Sequence, residues 1–280
     1  MTLFNAAVER GLTTKLEDAR DALTNKMVDI LGVYKTYLTA SSSGATSQPT
    51  LCDNIKHLPL LVLGMIKHVA FQNSNRIPTD LRSFAMSLIN ILPSEALRAY
   101  LHPKFYALHR LPPNVGSPAS DGNLIMPPLL NLSSEKLERH GVYLLETGET
   151  SFFWVGRDTH PQLCIDLFDA PNVDALRSGK FILPSLDTDV SVATQLIMSY
   201  TRASMRSKIS PYTYLVKEDG EPSLRVWFLS LLIEDRTGDD LSYYQYLGTL
   251  KEKVRPRACS RGWWHGKISS RRGRAGRWSQ

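Results

Sequence analysis

Val142-Tyr143-Leu144-Leu145, Thr147-Gly148 and Phe152-Phe153-Trp154-Val155-Gly156 are the stretches whose reading decides the fold. Two short runs of bulky apolar residues meet at a dipeptide suited to a tight turn, which predicts a hairpin of largely buried strands. Downstream, Pro161 opens a helix through Phe168, and Val192, Ala193, Leu196, Ile197 and Tyr200 stripe another over about 190–202. Tyr212–Lys217 reads as a strand and Asp219-Gly220 as a turn, before two last helices over Ser223–Glu234 and Ser242–Val254. Strands mixed with helices predict a sheet flanked by helices.

Upstream the period is helical. Thr14-Lys15-Leu16-Glu17 has the spacing of a capping box, and Ala19, Ala22, Leu23, Met27, Ile30, Leu31, Tyr34 and Leu38 then recur on one face. Ala40 to Thr50 lacks bulky apolar groups and is expected to be a mobile loop. Leu58 to Phe71 is apolar on nearly every side, as a central helix must be. A helix after Pro78 carries the stripe Leu81, Phe84, Ala85, Leu88, Ile89 and Leu92; Ser94 is placed to cap a fourth, and Pro103–Leu111 is expected to add a short helical piece. The expected division is a helical domain over 1–110, a Pro-rich linker over 111–131, a sheet-containing domain with C-terminal helices over 132–254, and a disordered basic tail over 255–280. At the start of the third segment Ser133 is expected to cap a helix ending at Gly141, with Leu132 and Leu137 as its hydrophobic staple.

Composition excludes several classes. A chain of 280 residues that is 42% apolar and 21% charged can build cores, so wholesale disorder is excluded. The run Leu58–Met65 falls far short of the ~20 residues of a membrane span, and the N-terminus has no secretory signal pattern. Cys52, Cys164 and Cys259 are too far apart for a zinc motif or a disulfide framework. The net charge of +6 is local: eight Lys/Arg and no acid lie beyond Val254, leaving 25 basic against 27 acidic residues elsewhere. A specific nucleic-acid surface is therefore not expected. The tail's arginines and Trp263, Trp264 and Trp278 suit an anionic membrane or RNA, against the plainer reading of an inert extension.

No catalytic constellation, cofactor motif or metal motif is expected. The nucleophile elbow is missing, and Gly262-x₃-Gly266-Lys267 is one residue short of a phosphate loop with Ile268 at the magnesium position. His140 reads as an ordinary cation near a helix end, and Asp158 and His160 as a surface turn. Glu146, Glu149 and Asp158 are too sparse to chelate calcium and read as a solvated turn. The candidate partner-contact residues are Glu234, Asp235, Arg236, Tyr243 and Tyr244. The plainer reading, which is preferred, is that Arg236 pairs locally with a carboxylate and fixes the chain as it turns into the last helix. Two rings among Tyr243, Tyr244 and Tyr246 are expected to be packed and one exposed.

Glu138-Arg139-His140-Gly141-Val142-Tyr143-Leu144-Leu145 and Phe153-Trp154-Val155-Gly156-Arg157-Asp158 resemble the C-terminal region of the cargo-adaptor subunit of the COPII vesicle coat. Leu58-Pro59-Leu60-Leu61, Ile77 to Arg82, Leu108-His109, Leu111-Pro112, Pro128 to Ser133, Val216 to Gly220, Glu234 to Thr237 and Ser242 to Gln245 agree in order, so the resemblance is collinear over about 3–254. It implies a multidomain α and α/β fold, an all-helical domain followed by a gelsolin-like domain. It implies a non-enzymatic role in endoplasmic reticulum to Golgi transport, cytoplasmic and peripheral on the endoplasmic reticulum membrane and coat vesicles. The partners it implies are the GTPase-activating inner-coat subunit, a small GTPase, and cargo and SNARE proteins through the full coat. The family's zinc ribbon, trunk and β-sandwich are not seen, so a fragment with uncovered apolar surface and a tail foreign to the family is expected. An actin-binding gelsolin-type module is the alternative.

Overall fold

The computed structural model describes residues 2–41, 55–74, 76–119, 124–205 and 212–254, with the side chains of 36–41, 204 and 205 outside that set. The loop expected over Ala40 to Thr50 falls almost wholly outside the described residues, and the tail beyond Val254 wholly so.

Five helices come first: α1 Thr2–Thr13, α2 Leu16–Ser41, α3 Leu58–Lys67, α4 Thr79–Ile91 and α5 Ser94–Leu101. Their shared core holds Val8, Ala19, Leu23, Met27, Val62, Met65, Phe71 and Ile89. The α2 stripe is therefore the buried one, and apolar α3 lies inside. Gly64 lets α3 approach α5, because a Cβ there would lie 2.4 Å from the Leu101 carbonyl oxygen.

Several local expectations are corrected. α1 had no counterpart in the sequence reading. The Thr14 hydroxyl donates to the Arg10 carbonyl at 2.9 Å, closing α1, and Glu17 Oε1 accepts from Asn73 Nδ2 at 2.8 Å, so both side chains of the expected capping box are used elsewhere. Ser94 is the first residue of α5 and makes no cap; Pro93 holds the cap position. On α4, Ala85, Leu88 and Ile89 of the expected stripe are buried, together with Met86, but Leu81 and Phe84 are exposed. Pro103–Leu111 is not helical: Lys104–Ala107 forms strand β1, pairing antiparallel with β2 from Lys104↔Glu146 to Ala107↔Tyr143.

The sheet follows. β2 is Val142–Glu146, β3 Thr150–Val155, β4 Gly179–Lys180 and β5 Tyr212–Lys217, in the order β1-β2-β3-β5-β4. β2 and β3 form the expected hairpin, with Gly148 at φ 90° in its turn. β3 and β5 run parallel, and the crossover between them carries α6 Pro161–Phe168 and α7 Asp189–Met205. α8 Pro222–Ser230 and α9 Tyr243–Lys253 close the described chain.

Both sheet faces are covered, which is why the strands read as continuous apolar runs. Val142, Leu144, Phe153, Val155 and Leu215 pack with Cys164, Leu167, Phe168 and Ile197 of α6 and α7. Tyr143, Leu145, Phe152, Trp154 and Val216 pack with Leu224 and Phe228 of α8 on the other side. Two further readings change. The helix after Ser133 is a single 3₁₀ turn over Ser134–Lys136, although Ser133 does cap it and Leu132 and Leu137 do pack in one cluster. Glu146 sits in no solvated turn: it is fully buried at the end of β2, where its Oε1 accepts from the Ser151 hydroxyl at 2.8 Å.

Candidate protein-contact site

Residues 231–244 leave α8, cross the sheet's second face and return to the helices as α9. Leu232 and Ile233 are buried in the cluster with Trp154 and Phe228, while Tyr246 and Leu250 of α9 are buried among the first five helices. This segment therefore ties the two cores together.

Polar groups fix its path. The Glu234 amide donates to the Leu132 carbonyl, and Glu234 Oε1 accepts from the Leu132 amide, each at 3.0 Å. Asp235 takes the next two donors: the Ser133 hydroxyl at 2.7 Å and the Ser134 amide at 2.8 Å. Burial raises the pKa of the Glu234 carboxyl, and the Leu132 bond partly restores its charge.

From the helical side, Lys67 Nζ donates to the Ile233 carbonyl at 2.9 Å and to the Asp235 carbonyl. Burial lowers its pKa, against the opposing pull of Asp240 and Asp235. Arg20 of α2 adds an ion pair with Asp240 at 2.5 Å, beside the turn in which the Asp240 amide donates to the Thr237 carbonyl. Ser242 then starts α9 with a full capping box shared with Gln245.

The five residues singled out from sequence are thus split. Glu234 and Asp235 turn their carboxylates inward. Tyr243 packs half-buried against the helical core, its amide donating to the Glu234 carbonyl at 2.9 Å. Arg236 and Tyr244 face solvent, Tyr244 at 87% exposure, and no ion pair of Arg236 occurs among the described residues. The local pairing expected for Arg236 is therefore not made; with Tyr243 and Tyr246 packed and Tyr244 exposed, the ring reading holds. Lys67, Arg20 and Asp240 were missed. The available signal was Lys67 as the one charged residue in Leu58–Lys67.

One cluster could hold a metal among the described residues: His109, Glu138 and His140 place ligand atoms within 4.8 Å of one another. Asp158 and His160 are exposed, as expected, and His160 Nδ1 caps α6 by accepting from the Gln162 amide at 3.2 Å.

Comparison with known proteins bears on what these surfaces serve. Residues 1–98 match the Sec23/Sec24 helical domain and residues 123–198 match a gelsolin repeat. Protein transport protein SEC24 of Podospora anserina is 42% identical over 253 residues, which cover 89% of this chain and 26% of that protein. The Neosartorya fischeri protein of the same name is 43% identical over 256 residues, covering 89% and 27% respectively. The chain thus spans about a quarter of the length of these relatives. The crystal structure of the human COPII-coat protein Sec24c superposes with a TM-score of 0.75 at 23% identity over 90% of this chain and 32% of that one, which shows a shared fold.

Proposed function

Because the chain is homologous to SEC24 proteins through both its helical and its gelsolin-repeat segments, we propose that it serves as the structural, protein-contact part of a COPII inner-coat cargo adaptor in endoplasmic reticulum to Golgi transport. The observation that carries this reading is collinear similarity across both segments together with the segment 231–244 that locks them into one body. Its action is rigid presentation of surface, without catalysis. Arg236 and Tyr244 are the outward-facing part of the contact patch; Glu234, Asp235 and Tyr243 hold the patch in place. The organisation is a helical unit, a Pro-rich connection over 111–131 and a sheet unit, with β1 and α9 each crossing to the other side. The partners are the GTPase-activating inner-coat subunit, a small GTPase and cargo or SNARE proteins, met on the cytoplasmic face of the endoplasmic reticulum membrane by the assembled coat.

The test is to replace the matching segment of the Podospora anserina protein by residues 2–254 and follow export of a secreted reporter. Restored export supports the reading; a stable chimera that leaves the reporter in the endoplasmic reticulum refutes it. The gelsolin repeat also admits an actin-binding module. Calcium-dependent co-sedimentation of the full chain with actin filaments would favour that alternative.

A further inference from the structure

We propose that His109, Glu138 and His140 form a binding site for a divalent transition metal of the zinc class, at the end of the sheet where β1 leaves and β2 begins. The three side chains come from two short segments that the β1–β2 pairing brings together: Leu108–Arg110 after β1 and Glu138–His140 before β2. His140 Nε2 lies 2.7 Å and His109 Nε2 3.7 Å from Glu138 Oε2. The rings of His109 and His140 meet edge-on with centroids 5.8 Å apart.

His109 is the observation that asks for a ligand. Its side chain is only 7% exposed, and its Nε2 is buried with no hydrogen-bond partner. Its Nδ1 lies 3.2 Å from both the carbonyl oxygen and the amide nitrogen of Val142. If Nδ1 accepts from the amide, Nε2 carries a hydrogen that finds no acceptor within hydrogen-bond distance. If Nδ1–H donates to the carbonyl, Nε2 presents an unsatisfied lone pair toward a carboxylate. Either tautomer leaves a buried polar atom unpaired, which is costly. A metal ion on Nε2 resolves the second case, in which the other ring nitrogen donates to a backbone carbonyl as metal-bound imidazoles usually do.

The rest of the cluster suits that role. The two imidazoles, borderline nitrogen donors, favour zinc over magnesium or calcium, which take oxygen ligands; the carboxylate completes a set of three protein ligands that leaves a fourth position open. His109 and His140 both line a cleft of about 1080 Å³ whose walls also include Asp158 and His160. The Glu138 amide donates to the Tyr143 hydroxyl at 2.8 Å, fixing the backbone from which the carboxylate projects. The competitor is Arg110, whose Nη2 donates to Glu138 Oε2 at 2.7 Å; its side chain is 62% exposed and swings away at little cost. His140, 58% exposed, is free to close the remaining gap.

The experiment uses the full chain with accessible thiols alkylated, so that cysteine ligands are removed from the reading. Zinc affinity is measured by competition with a chromophoric chelator, and cobalt(II) spectra report the ligand set. One equivalent should bind, with a cobalt spectrum lacking thiolate charge transfer. His140→Ala and Glu138→Gln should each weaken binding by at least about tenfold, with unchanged melting in metal-free buffer. Arg110→Ala should tighten it severalfold by removing the competitor for Glu138. No binding by the alkylated protein, equal affinities across the wild type and both ligand variants, or weaker binding by Arg110→Ala would overturn the proposal.

Discussion

Gly156 shows how closely this fold is packed at single positions. A Cβ there would sit 2.1 Å from the Arg139 carbonyl oxygen, and that atom is backbone, which cannot swing aside. Gly156→Ala should therefore lower stability by roughly 1–3 kcal/mol, the usual cost of overpacking, read as an earlier urea midpoint. Glu146 makes the complementary electrostatic case. Burial pushes its carboxyl up to about 7, against the pull of Arg202, the Ser151 hydroxyl and Lys104. The folded state thus holds this proton more tightly than the unfolded chain does, and its contribution is lost as pH rises from about 4.5 through about 7. Glu146→Gln should be close to wild type at pH 4.5 and more stable than wild type above pH 7, by on the order of 3 kcal/mol. The comparison must be made variant against wild type, because His68, whose pKa burial lowers to about 4, titrates in the opposite sense over part of that range. A pH-independent difference in urea melts would contradict the assignment.

At the scale of elements, what the sequence disclosed depended on length and on where the partners lie. The β2–β3 hairpin and the α2 stripe were legible because each repeats its pattern over several residues within one segment. β1 was not: Lys104-Phe105-Tyr106-Ala107 is too short to show a period, and its strand form is set by pairing with β2 some forty residues on. α4 was legible in part: Ala85, Leu88 and Ile89 of its stripe are buried, while Leu81 and Phe84 are exposed, since spacing says which face is apolar and not whether anything covers it. α9 was predicted with nearly its observed bounds, but not its docking. Tyr246 and Leu250 are buried against helices from the far end of the chain. Leu250→Ala should cost about 2–5 kcal/mol, and hydrogen exchange should rise in α2 and α3 as well as in α9. Faster exchange confined to α9 would show that it packs as an independent element.

For the molecule as a whole, the decisive contacts join groups that no sequence window contains together. Glu234 and Asp235 stood out as charges after an apolar helix, but only the fold shows them answering Leu132, Ser133 and Ser134, with Lys67 and Arg20 arriving from the helical side. Lys67→Met removes two charge-assisted bonds and should cost about 1.5–3 kcal/mol, with faster amide exchange over 232–243 and little change in the β2–β3 hairpin. Uniform loss across both units would instead mean that Lys67 supports the common core and not the junction. The central claim, that this joined body serves as a coat adaptor's contact surface, is tested most directly in a cell-free budding reaction. Endoplasmic reticulum membranes are supplied with COPII components in which residues 2–254 replace the matching segment of a SEC24 protein. The account predicts incorporation of the chimera into released vesicles at the level of the unaltered protein, falling when Arg236→Glu and Tyr244→Ala are introduced together. A folded chimera excluded from vesicles, or one indifferent to those two changes, would contradict it.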